Sequence, residues 1–350
     1  MFPRKQTSPW LRGALYVVAI LFLPTFIIQL VRPDALSPGA HRPTLRSFEF
    51  SFLLETGTAF EKLHWHDPAI AEFQAAEQLA LQSGDAGYES VREARAHLAG
   101  SYASAGRASD AEKMYAAIVK TSLEAGDALR EKSQFEAAVP KYQDAEQFSQ
   151  RLTTAKLASL LRSQRSLAGC LMVLKRYSDL AAVNQRIIVT LTDQGESHQI
   201  ELGDAYEALA MAQSGMNDWA RAEQSLLQAK DVYDQIVDHS SGNDLSDDAR
   251  KAAQQRDFLT YSLAVCYFNE KKMELALSTD EDAFLALSAR LGPVRIPAGV
   301  YTVGLQAANA LGNQDQVETW KHRIDDLSPN HSAAAEESLP AQIPQVPRRF

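Results

Sequence analysis

The chain has 350 residues, 45% of them apolar and 23% charged, which is the balance of a chain that buries a core and excludes wholesale disorder. Its net charge of -9 is uneven: residues 1–46 hold six of the 35 Lys and Arg and one of the 44 Asp and Glu, so the remainder carries -14. A body of that sign repels polyanions, which excludes nucleic acid as a main partner.

Residues 1–12 form a short polar flank. From Gly13 to Val31 the chain reads GALYVVAILFLPTFIIQLV, nineteen residues without a charge. At about 1.5 Å per residue a helix of this length matches the roughly 30 Å of a hydrocarbon core. This predicts a single-pass transmembrane anchor over residues 13–31, bracketed by Arg12 and Arg32, with Trp10 and Tyr16 near one interface. A cleaved signal peptide has a shorter apolar run and a small-x-small site, of which PDALSPGAH is a poor example. Three basic residues lie on each flank, so only the N-terminus tips the repeat body towards the non-cytoplasmic side. Residues 32–46 contain three prolines and no helical period, as expected of a spacer.

Beyond the spacer, residues 47–329 repeat. A small residue is followed twelve places later by another small or aliphatic one: Gly57 and Ala69, Ala99 and Ala111, Gly126 and Ala138, Ala168 and Leu180, Ala210 and Ala222, Ala264 and Ala276, then the bulkier Leu305 and Val317. Three places after the first member stands Phe60, Tyr102, Leu129, Leu171 or Tyr267; four after the second stands Phe73, Tyr115, Tyr142 or Leu226. Two antiparallel helices approach closely only where side chains are small, and a large neighbour one turn away fills the remaining gap. The pattern therefore predicts helical hairpins, each burying its apolar stripe against the next.

These residues resemble the tetratricopeptide repeat. Leu98, Ala99, Tyr102, Ala111 and Tyr115 carry the resemblance best, with Leu263, Ala264, Tyr267 and Ala276 next and a closing Leu327-Ser328-Pro329. The resemblance covers residues 50–329. It implies an all-α, right-handed superhelical solenoid of about seven helix-turn-helix repeats, preceded here by one transmembrane helix, and protein binding on its concave groove. The first members lie 42, 27, 42, 42, 54 and 41 residues apart, against 34 for the standard unit, and the step of 27 is too short for a whole hairpin. Asn184, Asp280 and Lys321 stand where large apolar residues are expected, and Gln213 replaces the aromatic of a first helix. Those hairpins should pack less well.

Between the fifth and sixth repeats, DHSSGNDLSDD reads as a solvated loop, because its aspartates lack EF-hand spacing. Residues 330–350 read as a disordered, Pro-containing tail; the P-x-x-P-x-R formed by Pro344, Pro347 and Arg349 is too short to carry recognition by itself.

The stretch HWHDP at His64 to Pro68 offers two imidazoles, with Glu72 nearby. A zinc site needs three or four ligands in tetrahedral reach, whereas a turn with Asp67 as N-cap and Pro68 as first helical residue explains most of the same letters. No nucleotide-binding loop, nucleophile elbow or H-E-x-x-H helix occurs. Cys170 and Cys266 occupy one position of two different first helices and read as packing residues, not a disulfide. The expectation is no catalytic residue, no metal and no cofactor.

With the first small residue numbered eight, positions two, five, nine and twelve share one helix face. In the fourth to seventh repeats that face holds Arg162, Arg165, Glu207, Met211, Phe258, Tyr261, Phe268, Gln306 and Asn309, apolar groups beside charges and amides that suit capture of a peptide or helix. Chaperone-tail binding, which needs paired Lys and Asn, is not expected, since the first repeat has Leu54 and Thr58 instead. The sequence thus predicts a membrane-anchored, non-catalytic scaffold or adaptor for other proteins. The alternatives are a self-assembling structural module and a metal-dependent enzyme using His64 and His66.

Overall fold

The computed structural model describes residues 45–82, 87–239 and 246–326. The expected flank, anchor, most of the spacer, the closing Leu327-Ser328-Pro329, the tail and residues 240–245 of the acidic loop lie outside the described residues. Among the described residues no helix is long and apolar enough to cross a membrane.

Thirteen α-helices and no strands make up the described residues: α1 (Leu45–Lys62), α2 (His66–Leu81), α3 (Tyr88–Ser104), α4 (Ala108–Glu131), α5 (Phe135–Ser149), α6 (Lys156–Val173), α7 (Tyr177–Thr192), α8 (Gln199–Gly215), α9 (Trp219–His239), α10 (Asp247–Asn269), α11 (Met273–Leu291), α12 (Ala298–Leu311) and α13 (Gln314–Asp325). They form two compact units: one runs to Ser122 and includes Phe148–Thr154, and the other holds Leu123–Gln147 and everything from Ala155.

Seven connections share one backbone geometry. A residue in the left-handed region ends each first helix: His64, Gly106, Ser133, Lys175, Asn217, Lys271 or Gly312. Its amide donates to the carbonyl three residues back and the next amide to the carbonyl five back, as in Lys175 to Met172 (3.0 Å) and Arg176 to Leu171 (2.9 Å). These two bonds satisfy carbonyls that a helix end otherwise leaves open. The second helix starts at once, and the amides of Ala69, Ala111, Ala138, Leu180, Ala222, Ala276 and Val317 donate to the residue just ahead of it. The seven turns are separated by the same intervals as the small residues that mark them, and all seven second members are buried.

The short step of 27 has a simple origin. Helix α4 is one 24-residue helix carrying both Ala111 and Gly126, so it closes the second hairpin and opens the third. The array has thirteen helices instead of fourteen because α4 serves twice.

Close approach is visible where glycine is used. A Cβ on Gly57 would lie 2.5 Å from the Phe73 ring and one on Gly126 2.7 Å from the Tyr142 ring, well inside ordinary contact. In the last hairpin the ring is Trp320, which covers Gly304; Leu305 is only half-buried and Lys321 is exposed. This corrects the expected pair by one residue, although the turn at Gly312 stays in place. Two glycines are followed by an aspartate that receives the phenol: Tyr142 donates to Asp127 at 2.7 Å and Tyr233, seated on Gly203, to Asp204 at 2.8 Å.

Of the polar residues that interrupt the pattern, Asn184, Gln213 and Asp280 are nevertheless buried. Asn184 donates to the Leu180 carbonyl (3.0 Å), and Gln213 accepts from Ser225 (2.8 Å). Asp280 is fully buried, and among the described residues neither of its oxygens has a hydrogen-bond partner. In the first unit, Glu112 accepts from the amides and hydroxyls of Thr153 and Thr154 at 2.5–3.0 Å, which pins the segment leaving α5 and lowers the Glu112 pKa to about 2.

Candidate partner-binding face

Every expected partner-binding residue falls in the second unit, on the first helices α6, α8, α10 and α12. Each of these helices gives one face to its own second helix, and α6, α8 and α10 give another to the following hairpin. Only what remains can meet a partner.

Arg162 and Arg165 on α6 are exposed. Arg162 is held by Asp127 at 3.0 Å, and Asp127 also lies 3.4 Å from Arg130 and accepts the Tyr142 phenol. Asp127 and Arg130 occupy positions nine and twelve of the third hairpin. They belong to the same face, and the spacing pointed to them once α4 is counted as a first helix. Arg162 and Arg130 thus share Asp127, two arginines to one aspartate.

On α8, Met211 is half-buried against the core of its hairpin. Glu207, one turn before it, is 1% exposed. On α10, Phe258 and Phe268 are half-buried and pack against the core of the last two hairpins, whereas Tyr261 is 1% exposed and presses its hydroxyl against Gly299. Position five is therefore a packing position in these hairpins: Thr302 on α12 is buried as well. Glu207 and Tyr261 are corrected from partner contacts to interior residues, Tyr261 because the next hairpin covers it at Gly299. Gln306 is half-buried and Asn309 exposed. Of the expected residues, Arg162, Arg165, Met211, Phe258, Phe268, Gln306 and Asn309 stay exposed or half-buried.

The HWHDP stretch lies in the first unit and is a turn, shifted from the expected one. His64 takes the left-handed conformation (φ 58°), and α2 begins at His66, so Trp65 is the N-cap. The bond from the Ala69 amide to the Trp65 carbonyl (3.1 Å) sets that start. Asp67 stands inside the first turn, where a carboxylate favours the helix dipole, and Pro68 beside it loses no helical bond. The His64 and His66 rings are 6.3 Å apart, and burial raises the Glu72 pKa. Among the described residues no group of three or more His, Cys, Asp and Glu comes together. Cys170 and Cys266 are buried free thiols, and burial raises both of their pKa values.

No protein-family model matches the chain, and no curated protein matches it. Solved structures do. The nearly identical TPR-like repeats of a Podosopora anserina kinesin light chain protein are 14% identical, over 63% of this chain and 97% of that one, with a TM-score of 0.46. BtubC from P. vanneervenii is 14% identical over 88% and 96%, at 0.45. PilF of Pseudomonas aeruginosa is 13% identical over 85% and 97%, at 0.35. Scores this low add no weight by themselves. The chain has a tetratricopeptide-type helical repeat fold, carried by its own seven turns.

Proposed function

We propose that this chain is a non-catalytic adaptor that takes a peptide or helix of another protein on the first helices of its second unit. Residues 13–31 would hold it in a membrane, with the repeats on the non-cytoplasmic side. The observation that supports this reading is the remainder left after packing. Phe258, Phe268 and Met211 are half-buried, touching the core on one side and open on the other, and exposed Arg165 and Asn309 flank them. Apolar anchors bordered by charged and amide groups are the arrangement a peptide groove uses. The arginine group around Asp127 favours a partner with carboxylates, and the charge of -14 beyond residue 46 disfavours nucleic acid.

Site-specific photo-crosslinking tests the reading. A crosslinker at Arg165 or Asn309 is expected to trap a discrete partner in cells, one at exposed Val189 on a second helix is expected to trap none, and Phe268→Ala is expected to reduce the adducts about tenfold. Equal labelling from Val189, or adducts indifferent to Phe268, contradicts the proposal.

A further inference from the structure

Helix α1 has an outward face that the described residues leave open. At about 100° per residue, Phe52, Ala59 and Leu63 fall within a sector of about 40°, on the side away from Gly57 and the Phe73 ring. Phe52 is 45% and Leu63 53% exposed. Trp65, at the tip, is 45% exposed with one face stacked on Phe60 at 5.9 Å. In an array this is the side against which a preceding hairpin would pack.

Beside the apolar stripe, on one flank, stand Glu55 and Lys62, both exposed and two turns apart. Neither has an ion-pair partner among the described residues. Two copies of α1 laid antiparallel, crossing at Ala59, place Glu55 of each against Lys62 of the other, because an antiparallel pair brings like flanks together with reversed order. The small residue falls at the crossing, as it does throughout this fold, and Phe52 of one copy reaches towards Trp65 of the other. We propose that the α1 face is a self-association surface that pairs two copies of this chain antiparallel about Ala59.

Other occupants fit less well. Residues 13–31 offer no charge to meet Glu55 and Lys62. An anionic lipid surface would meet two exposed glutamates, Glu49 and Glu55, against the single exposed Lys62. A second copy supplies both signs at the required spacing.

The test uses the full-length chain in cells, carrying Ala59→Cys and treated with a mild oxidant. Native Cys170 and Cys266 are buried and give little background. Ala59→Cys is expected to give a band of twice the chain mass on a non-reducing gel, at least tenfold stronger than Phe48→Cys, whose two copies would lie about 30 Å apart. Adding Glu55→Lys is expected to lower the yield at least fivefold, and adding Lys62→Glu to the same chain to restore it. Both sites are exposed, so helix content should not change. No crosslink, equal crosslinking from Phe48→Cys, or failure of the double reversal to rescue overturns the proposal. None of these outcomes bears on the peptide-binding face, which lies in the other unit.

Discussion

Asp280 occupies the place where other hairpins put a ring. It is enclosed between Tyr261 of α10, the Gly304 backbone of α12 and α13 with Arg323, while Glu281 adds a like charge from its own helix. Burial first, and Glu281 next, raise its pKa well above 3.8. A carboxyl whose pKa is raised on folding binds its proton more tightly in the folded chain. The stability it permits is greatest below pH 3.8 and declines as pH climbs through 3.8 towards the raised value. Asp280→Asn is therefore expected to add about 2 kcal/mol at pH 7, a gain that shrinks towards zero below pH 4, as read from urea denaturation across that range. Equal stability of the two proteins at pH 7 would refute it. Glu112 gives the opposite slope: its stabilising bonds are complete above its ordinary value near 4.5 and are lost as pH falls through about 2. The sequence showed that Asn184, Gln213 and Asp280 break the apolar pattern. It did not show that Asn184 and Gln213 find partners inside the fold while Asp280 does not, because those partners come from distances that spacing does not encode.

Helix α4 shows what spacing could and could not reveal about elements. The interval of 27 residues was plain in the sequence, and so were the small residues on either side of it. Whether it meant a truncated helix or a wrong register depended on what joins them. Ala111 and Gly126 sit fifteen residues apart on one continuous helix, which is about four turns and a rotation of about 60°. That offset lets one helix pair with α3 through its start and with α5 through its end. Inserting one alanine between Lys120 and Thr121 turns the two pairing faces by a further 100° or so, whereas inserting four turns them by only about 40°. The single insertion is expected to be the more damaging, costing at least about 2 kcal/mol more than the fourfold one. Circular dichroism during thermal denaturation ranks them, and the reverse order would mean that the two faces of α4 are not set by its phase. The one-residue slip in the last hairpin has a similar cause: Gly304 and Trp320 each stand one residue before the expected Leu305 and Lys321, and a bulky Leu305 at the expected place concealed it.

At the scale of the molecule, hairpins that bury their stripes against immediate neighbours should behave as a chain of local equilibria rather than one all-or-none core. The seven pairs of residues twelve places apart made this architecture legible in the sequence. Which outward faces stay open was less legible, since Tyr261 and Phe268 carry similar side chains in one helix register and only packing buries the first. A local lesion tests the chain-like behaviour. Phe73 fills the space beside Gly57 and stacks on His97 at 4.8 Å, all within the first unit. Phe73→Ala removes that ring and is expected to cost about 3–5 kcal/mol locally. Hydrogen exchange followed peptide by peptide should then show lost protection in α1 to α3, with α8 to α13 keeping theirs, because the cores built on Tyr233 and Trp320 receive nothing from Phe73. Uniform loss across all thirteen helices would instead show that the two units unfold as one, and that the array transmits a defect along its whole length.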